Sequence, residues 1–362
     1  MSRAVSAPAP ALAPVPDFSP ANPLVEPHDV ASWVDALRVP VAITGGTGFV
    51  GSHLVDVLCG AGLRPRVLVR DRAHARWIGG APVDWVDGDL ADVAALRRLV
   101  DGAGTVLHLA GVVRAGRAVD FDRGNRVGTA NLVAAVREAA PAARLVHVSS
   151  LAAAGPSPSP GGLAPTDDPK PVSAYGRSKL AAERIVASLA DDGWWCVLRP
   201  PAVLGPRDTD VLEFFKMAVR GLAPVPAGER WITVAYVADV VRALLAAGAN
   251  GRSRSVYHLG EPAPKRLDDL LRELATAGGC SVRVLPVPGP VIAAAGAVGS
   301  ALQRLGWRRM PLTRDKTREL LASHWASQTT GSLEALGLGP GTSFEEAVSV
   351  TWRWYRNLGW LG

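Results

Sequence analysis

Cysteine is scarce in this chain: three residues in 362, Cys59, Cys196 and Cys280, odd in number and without a spacing pattern. That excludes a disulfide framework and a cysteine-based metal site, and it fits a reducing, cytoplasmic setting. The seven histidines also lack ligand spacing. His53, His108 and His147 lie in apolar runs, where each is expected as a satisfied core histidine. Continuous apolar stretches are missing too. Met1 through Pro27 is rich in alanine and proline without an apolar core of signal-peptide length, so residues 1–36 read as a disordered leader, with a short helix over 31–37 before the first strand. No internal repeat is present. Lysine and arginine outnumber the acids by 39 to 33, for a net charge of +6 and a pI near 9.6, yet they are scattered rather than clustered with interleaved aromatics. This argues against a nucleic-acid partner and leaves an acidic small ligand as the simpler use of the charge.

What is present can build a large core, since 48% of the residues are hydrophobic. Val39-Pro-Val-Ala-Ile43 reads as a buried strand. Thr44-Gly-Gly-Thr-Gly-Phe-Val-Gly51 follows and opens into Ser-His-Leu-Val-Asp-Val-Leu, which has helical apolar spacing. In a strand, glycine turn and helix of this kind, Gly45 permits the tight turn, Gly48 lets the backbone approach a pyrophosphate, and Gly51 lets the helix sit close on the sheet. The helix N-terminus then offers unpaired amides to the phosphates. Glycines also serve plain turns, but the flanking strand and helix favour a cofactor.

The next strand, Pro65–Val69, ends in Arg70-Asp71-Arg72, with Arg70 nineteen residues past Gly51 and His74 and Arg76 close behind. A carboxylate at this distance binds a ribose 2′-hydroxyl, whereas arginine suits a 2′-phosphate. NADP(H) is therefore favoured over NAD(H). The rival is that Asp71 is the ribose ligand and the arginines form a solvated face. Asp84-Trp-Val-Asp-Gly-Asp89-Leu places an acid after a third short strand, 105–111 forms a fourth, then comes a helix beginning at Asn125, then the strand Arg144–Ser150, which delivers Ser150 at its carboxyl end.

Tyr175 and Lys179 share one helical face in Ala-Tyr-Gly-Arg-Ser-Lys, twenty-five residues beyond Ser150. A free phenol has a pKa near 10, too high to serve as a base at neutral pH, and a cation within about 4 to 6 Å favours its ionised form. With four tyrosines and five lysines in the chain, the spacing alone is only suggestive. Joined to the glycine turn and Ser150, it describes a site for proton exchange with an alcohol or ketone beside a nucleotide.

These motifs together resemble an extended short-chain dehydrogenase/reductase. The likeness rests on Thr44–Gly51, Gly88-Asp89-Leu90, His108-Leu-Ala-Gly111, Asn125-Arg-Val-Gly-Thr129, Ser149-Ser150, Tyr175-Gly-Arg-Ser-Lys179 and Leu198-Arg-Pro200, in family order from about residue 39 onward. It implies an α/β protein with a Rossmann-type doubly wound parallel sheet over 37–200. A smaller C-terminal substrate lobe would occupy 201–362, with some segments returning to the sheet. It further implies Tyr175 as acid/base, Lys179 holding the nicotinamide ribose and lowering the tyrosine pKa, and Ser150 positioning the substrate oxygen. Asp89 and Leu90 would approach the adenine, Leu109, Ala110 and Gly111 would line the cofactor, and Asn125 would order the site. Thr47, Phe49 and Val50 would join the phosphate turn, and Pro200 and Val203 would meet the nicotinamide. Relatives often dimerise through the tyrosine helix and its neighbour, here roughly 173–189 with 125–139.

Two departures bear on the substrate. Nucleotide-sugar enzymes of the family commonly carry asparagine three residues after the arginine of Leu198-Arg-Pro200, where this chain has Ala202. Arg70 replaces the acid expected for tightly bound NAD. Both favour the branch resembling 3β-hydroxysteroid dehydrogenases and dihydroflavonol-type reductases, hence a small, moderately hydrophobic substrate. The alternatives are a nucleotide-sugar epimerase or dehydratase using bound NAD, and a non-catalytic dinucleotide sensor. Such sensors often lack the tyrosine and lysine kept here.

The second half reads as the lobe: a helix from Asp210, a strand into a helix over 231–239, a strand over 255–259, and a capping box at Ser343-Phe-Glu-Glu346 before a terminal helix whose Trp352, Tyr355 and Trp360 are expected as packing. The loop Gly155-Pro-Ser-Pro-Ser-Pro-Gly-Gly reads as a border of the site or a plain connector. Val291, Ala295, Val298, Leu302 and Leu305 form one helical stripe too short to span a bilayer, which needs roughly twenty residues. A helix lining an apolar pocket is favoured over one that touches a membrane surface with Arg304, Arg308 and Arg309 at its end.

Overall fold

The computed structural model describes residues 27–189, 193–304, 307, 312–339 and 341–361. Residues 1–26 of the leader, Leu305, Arg308, Arg309 and the side chain of Arg304 lie outside the described residues.

Short apolar runs with both faces buried build the centre of the molecule. The first half runs α1 (Pro27–Ala36), β1 (Val41–Thr44), α2 (Phe49–Gly60), β2 (Arg66–Val69), β3 (Asp84–Asp87), α3 (Val93–Val100), β4 (Thr105–His108), α4 (Ala118–Phe121), α5 (Gly128–Ala139), β5 (Arg144–Val148), α6 (Leu151–Ala154), α7 (Ala174–Ala187) and β6 (Trp194–Arg199). The second half runs β7 (Ala202–Leu204), α8 (Leu212–Arg220), β8 (Leu222–Pro226), β9 (Trp231–Ile232), β10 (Val234–Tyr236), α9 (Val237–Asn250), β11 (Ser255–His258), α10 (Leu267–Ala277), α11 (Gly289–Arg304), α12 (Arg314–Leu321), α13 (Thr330–Ala335) and α14 (Phe344–Asn357).

Seven parallel strands pair in the order β11-β6-β5-β4-β1-β2-β3. Successive residues alternate between two cores, as the period of two requires. Ile43, Leu107, Val146 and Leu198 join one core with α1, α2 and α9, while Ala42, Val106, Leu145 and Val197 join the other with α3, α5 and α7. The sheet is thus covered on both faces, as in a doubly wound Rossmann fold. Because β1 pairs with β2 on one side and β4 on the other, the chain reverses direction at β1, and ligands of such sheets bind outside the strand ends at that point.

The short helix expected over 31–37 is present as α1 but begins at Pro27, within the stretch expected as leader. Val30, Trp33 and Val34 are buried against α9, so apolar burial outweighs the low-complexity composition just upstream. From the second half, β11 returns to the sheet edge. The remaining lobe is organised by Phe215, Trp352 and Tyr355, with ring centroids 5.1 and 5.0 Å from Phe215, and by Ser343, whose hydroxyl accepts from the Glu346 amide at 3.3 Å. The aromatic stripe is therefore packing. The 155–162 loop is tied down by pairing of Ser157 with His324 and of Leu163 with Ser327.

The α11 stripe is the larger correction. Val291, Ala295 and Val298 face outward and Leu302 is half-buried, so this face lines no pocket. Its small residues pack the opposite way: a Cβ on Gly296 would stand 2.0 Å from the Thr317 hydroxyl of α12. Close approach to α12 uses the glycine side and leaves the valines outside.

Candidate active site

The carboxyl ends of β1, β4 and β5 meet the start of α7 at one edge of the sheet. Gly45 follows β1 with a left-handed φ of 77°, and a Cβ there would lie 2.5 Å from the Ala110 amide nitrogen. Gly48 donates its amide to the Gly45 carbonyl at 3.0 Å and caps α2. A Cβ on Gly51 would lie 2.1 Å from that same carbonyl, so glycine is needed where the helix meets the turn itself rather than the sheet. Thr47 lies in the turn. Phe49 and Val50 begin α2, where Phe49 meets His53 edge-on at 6.0 Å. First-turn amides of a helix have no intrahelical acceptor, which leaves this cradle suited to phosphate.

Tyr175 is the second residue of α7. Ser173 caps the helix by accepting from the Gly176 amide at 2.9 Å, and Asp315 of α12 accepts from the Ala174 amide at 2.8 and 3.0 Å. The Ser150 hydroxyl accepts from the Ala152 amide at 3.2 Å and lies close enough to the tyrosine hydroxyl to influence its ionisation. Phe121 packs on the ring at 5.8 Å. One turn along α7, buried Lys179 donates to the Val148 carbonyl at 2.7 Å. Asn125 lies in a π-helical stretch, Asp122–Val127, rather than starting an α-helix. Its Oδ1 accepts from the Val112 amide at 2.6 Å, and its Nδ2 donates to the Val112 carbonyl at 3.0 Å and to Ser178 Oγ at 2.8 Å. The exit of β4 is thereby tied to α7. A Cβ on Gly111 would lie 3.0 Å from Asn125 Oδ1 and 3.6 Å from Lys179 Nζ, so the absence of a side chain keeps this hollow open to a flat ligand.

Burial pushes the Tyr175 hydroxyl up to about 12; the neighbouring Ser150 hydroxyl opposes this, while the negative charges of Glu319 and Asp210 add to it. The expected lowering by Lys179 does not describe the site at rest, where the ammonium is engaged with Val148. Burial pulls Lys179 down to about 8 from 10.5, against the attraction of Glu183. The unfolded chain therefore binds more protons than the folded one between pH 8 and 10.5, and stability gains with pH across that window. Lys179→Met is expected to flatten that rise for the cofactor-free protein, measured by denaturant unfolding at pH 7, 8, 9 and about 10.

His108 joins β1 to α5 through Thr44 Oγ1 at 2.6 Å and Thr129 Oγ1 at 2.9 Å, and burial, with Lys179, lowers it to about 3. His53 is satisfied by the Pro206 carbonyl at 2.9 Å. His147 departs from the expectation. Its ring lies 4.9 Å from that of His108, tilted by 31°, but neither ring nitrogen has a hydrogen-bond partner among the described residues.

On the side of β2, exposed Arg70 has no hydrogen-bond or ion-pair partner among the described residues. Asp71 is committed: it accepts from the Ala73 amide at 2.9 Å and pairs with His74 at 2.7 Å. Arg72 forks onto Asp87 at 2.8 and 2.6 Å, and Arg76 lies over Trp77 at 4.4 Å. Asp89 accepts from the Ala91 amide at 2.7 Å, and the Leu90 carbonyl accepts from Asn131 at 2.8 Å. The Leu109 amide donates to the Thr44 carbonyl at 3.0 Å, and the Pro200 carbonyl accepts from the Leu151 amide at 2.8 Å. Val203 is half-buried in β7 beside exposed Ala202.

Sequence reasoning missed four contributors: Asp315, Glu319, Asp210, which pairs with Arg114 at 2.6 Å, and the buried pair of Glu183 with Arg199 at 2.9 and 2.7 Å. Of these, Glu183, four residues beyond Lys179 on the same face, and Arg199, inside the Leu198-Arg-Pro200 motif, carried a signal, though not of their pairing.

Residues 41–260 match the model of the NAD dependent epimerase/dehydratase family. The chain is 35% identical to a ceramide reductase of Caulobacter vibrioides over 331 residues, covering 90% of this chain and 96% of that one. It is 30% identical over 272 residues to a 4-hydroxy-2-methyl-3-oxo-4-farnesyl-3,4-dihydroquinoline-1-oxide ketoreductase of Stigmatella aurantiaca, covering 72% and 80%. A dTDP-glucose 4,6-dehydratase of Streptomyces venezuelae, solved with NAD, shares the fold with a TM-score of 0.70 at 24% identity, covering 88% and 98%. The chain belongs to the NAD-dependent epimerase/dehydratase family, within the extended short-chain dehydrogenase/reductases. It is an NAD(P)-dependent oxidoreductase, which answers the non-catalytic alternative. No described helix is long and apolar enough to cross a membrane.

Proposed function

We propose that the chain interconverts a ketone and a secondary alcohol on a moderately hydrophobic, steroid-, flavonoid- or acyl-like substrate, using NADP(H). The observation that carries this reading is the convergence of Ser150, at the exit of β5, with Tyr175 and with Lys179 one turn further along α7, beside the glycine turn. A bound nicotinamide dinucleotide supplies or accepts the hydride. Gly45, Gly48 and Gly51 with the first turn of α2 would hold its phosphates, and Lys179 and Asn125 would border its nicotinamide end. In reduction, Tyr175 gives its proton to the carbonyl oxygen as the carbon gains hydride, leaving a tyrosinate that solvent reprotonates. Burial keeps the Tyr175 hydroxyl protonated, the state from which a donor must start. Ser150 donates to the developing alkoxide, a preorganised stabilisation of charge.

Arg70 supports NADP(H), because it is uncommitted while the rival Asp71 is engaged with Ala73 and His74. Replacement by serine is expected to weaken NADPH about 10- to 100-fold, the worth of one charge-assisted contact, with NADH changed little. Equal losses for both cofactors, by fluorescence titration, would remove Arg70 from this role.

For the substrate, Ala202 offers no side-chain donor to a pyrophosphate, and Glu319 and Asp210 add negative charge near Tyr175. Both disfavour a nucleotide sugar. The ceramide and farnesylated-quinoline names of the two relatives support a lipid-like substrate. The free thiols Cys59, Cys196 and Cys280 suit a reducing, cytoplasmic compartment. A panel of long-chain and steroid ketones against UDP- and dTDP-sugars tests the substrate class, and turnover confined to the sugars would overturn it.

A further inference from the structure

The outer face of α11 has no partner among the described residues, although it is apolar. Val291 and Val298 are 56% and 58% exposed, Ala294 and Ala295 lie between them, and Trp307, just beyond the helix, is 63% exposed. No charged residue occurs from Val291 through Gln303. The inner face is already occupied: Gly296 sits against Thr317, and Ser300 Oγ accepts from the Arg314 amide at 2.8 Å. Packed alongside, α12 carries exposed Arg314 and Arg318, which have no carboxylate partner among the described residues, whereas Lys316 is paired with Glu319.

This surface is continuous with the mouth of the site. Gln303 Nε2 lies 3.1 Å from the place of a Cβ on Gly116, within the segment that carries exposed Val113 and Val119 from β4 towards Asn125. On the other side, Asp315 of α12 holds the first amide of the helix bearing Tyr175.

From this placement we propose that α11 and Trp307 seat the protein on the surface of a bilayer containing anionic lipid, with Arg314 and Arg318 meeting the headgroups, so that an amphipathic ketone passes from the membrane to Tyr175. The inference deepens the lipid-like reading of the site and rests on it. Interfacial helices bind through apolar burial together with attraction of cations to anionic lipid, and an exposed tryptophan belongs at such a boundary. The cations favour this partner over a second copy of the chain, whose net charge is also positive.

The test is flotation of the full chain with phosphatidylcholine vesicles, with and without phosphatidylglycerol, beside turnover of a water-soluble short-chain ketone. Wild type is expected to float with the anionic vesicles and to be released by salt. Arg314→Glu/Arg318→Glu should bind at least about 30-fold more weakly, from the loss of roughly 1 kcal/mol for each cation before any repulsion of the new carboxylates, and Val291→Glu/Val298→Glu should also lose binding. Both variants should turn over the soluble ketone like wild type. Wild type that stays off both vesicles, or variants that float unchanged, would overturn the membrane seat. Self-association abolished by Val291→Glu/Val298→Glu, without vesicle binding, would assign the face to a second copy. Vesicle binding without ketone turnover would instead count against the proposed reaction.

Discussion

Tyr175→Phe is expected to lower ketone reduction by about 10²- to 10⁴-fold, the range that a positioned proton donor contributes, while the dissociation constant for NADPH stays nearly unchanged. The substitution removes one oxygen. The ring retains its packing on Phe121 and the helix retains both holds on its first turn, Ser173 and Asp315. A parallel loss of cofactor binding in fluorescence titration would mean that the hydroxyl holds the nucleotide rather than moving the proton. Ser150→Ala should cost less than Tyr175→Phe, because it removes an oxyanion donor but leaves the proton source.

The second large effect concerns stability. Arg199 and Glu183 form a two-pronged ion pair behind the active-site helix, with side chains only 5% and 7% exposed. Breaking a buried pair by removing one partner leaves an uncompensated charge and costs about 3–5 kcal/mol. Arg199→Met alone, and Glu183→Leu alone, are each expected to lose that much by urea unfolding. The double variant should recover most of the loss, since replacing both charges by apolar groups of similar volume is often neutral or better. If the double variant loses the sum of the single effects, the pair is not coupled as the geometry indicates.

The parts legible in the sequence were those with short-range signals. The glycine turn, the alternating strands and the Tyr175 to Lys179 spacing each depend on neighbours within a few residues, and the strands fall where the apolar runs stand. Asp315 could not be found this way, because it reaches α7 from 141 positions downstream. Nor could the π-helical setting of Asn125, since the same apolar pattern continues into α5. The α11 stripe misled for a physical reason: larger side chains were read as the buried face, whereas close helix packing placed Gly296 and Gly299 inward and the valines outward. Composition hid only the first turn of α1, which starts at Pro27 rather than 31, and its Trp33 and Val34 are held by tertiary burial.

The central claim is net carbonyl reduction with Tyr175 as proton donor, and cofactor stoichiometry with deuterated NADPH tests it most directly. The account predicts one NADPH oxidised for each alcohol formed, deuterium on the carbinol carbon, and loss of both in Tyr175→Phe. Turnover without net cofactor oxidation, with hydride returned to the substrate as in an epimerase or dehydratase, would contradict it.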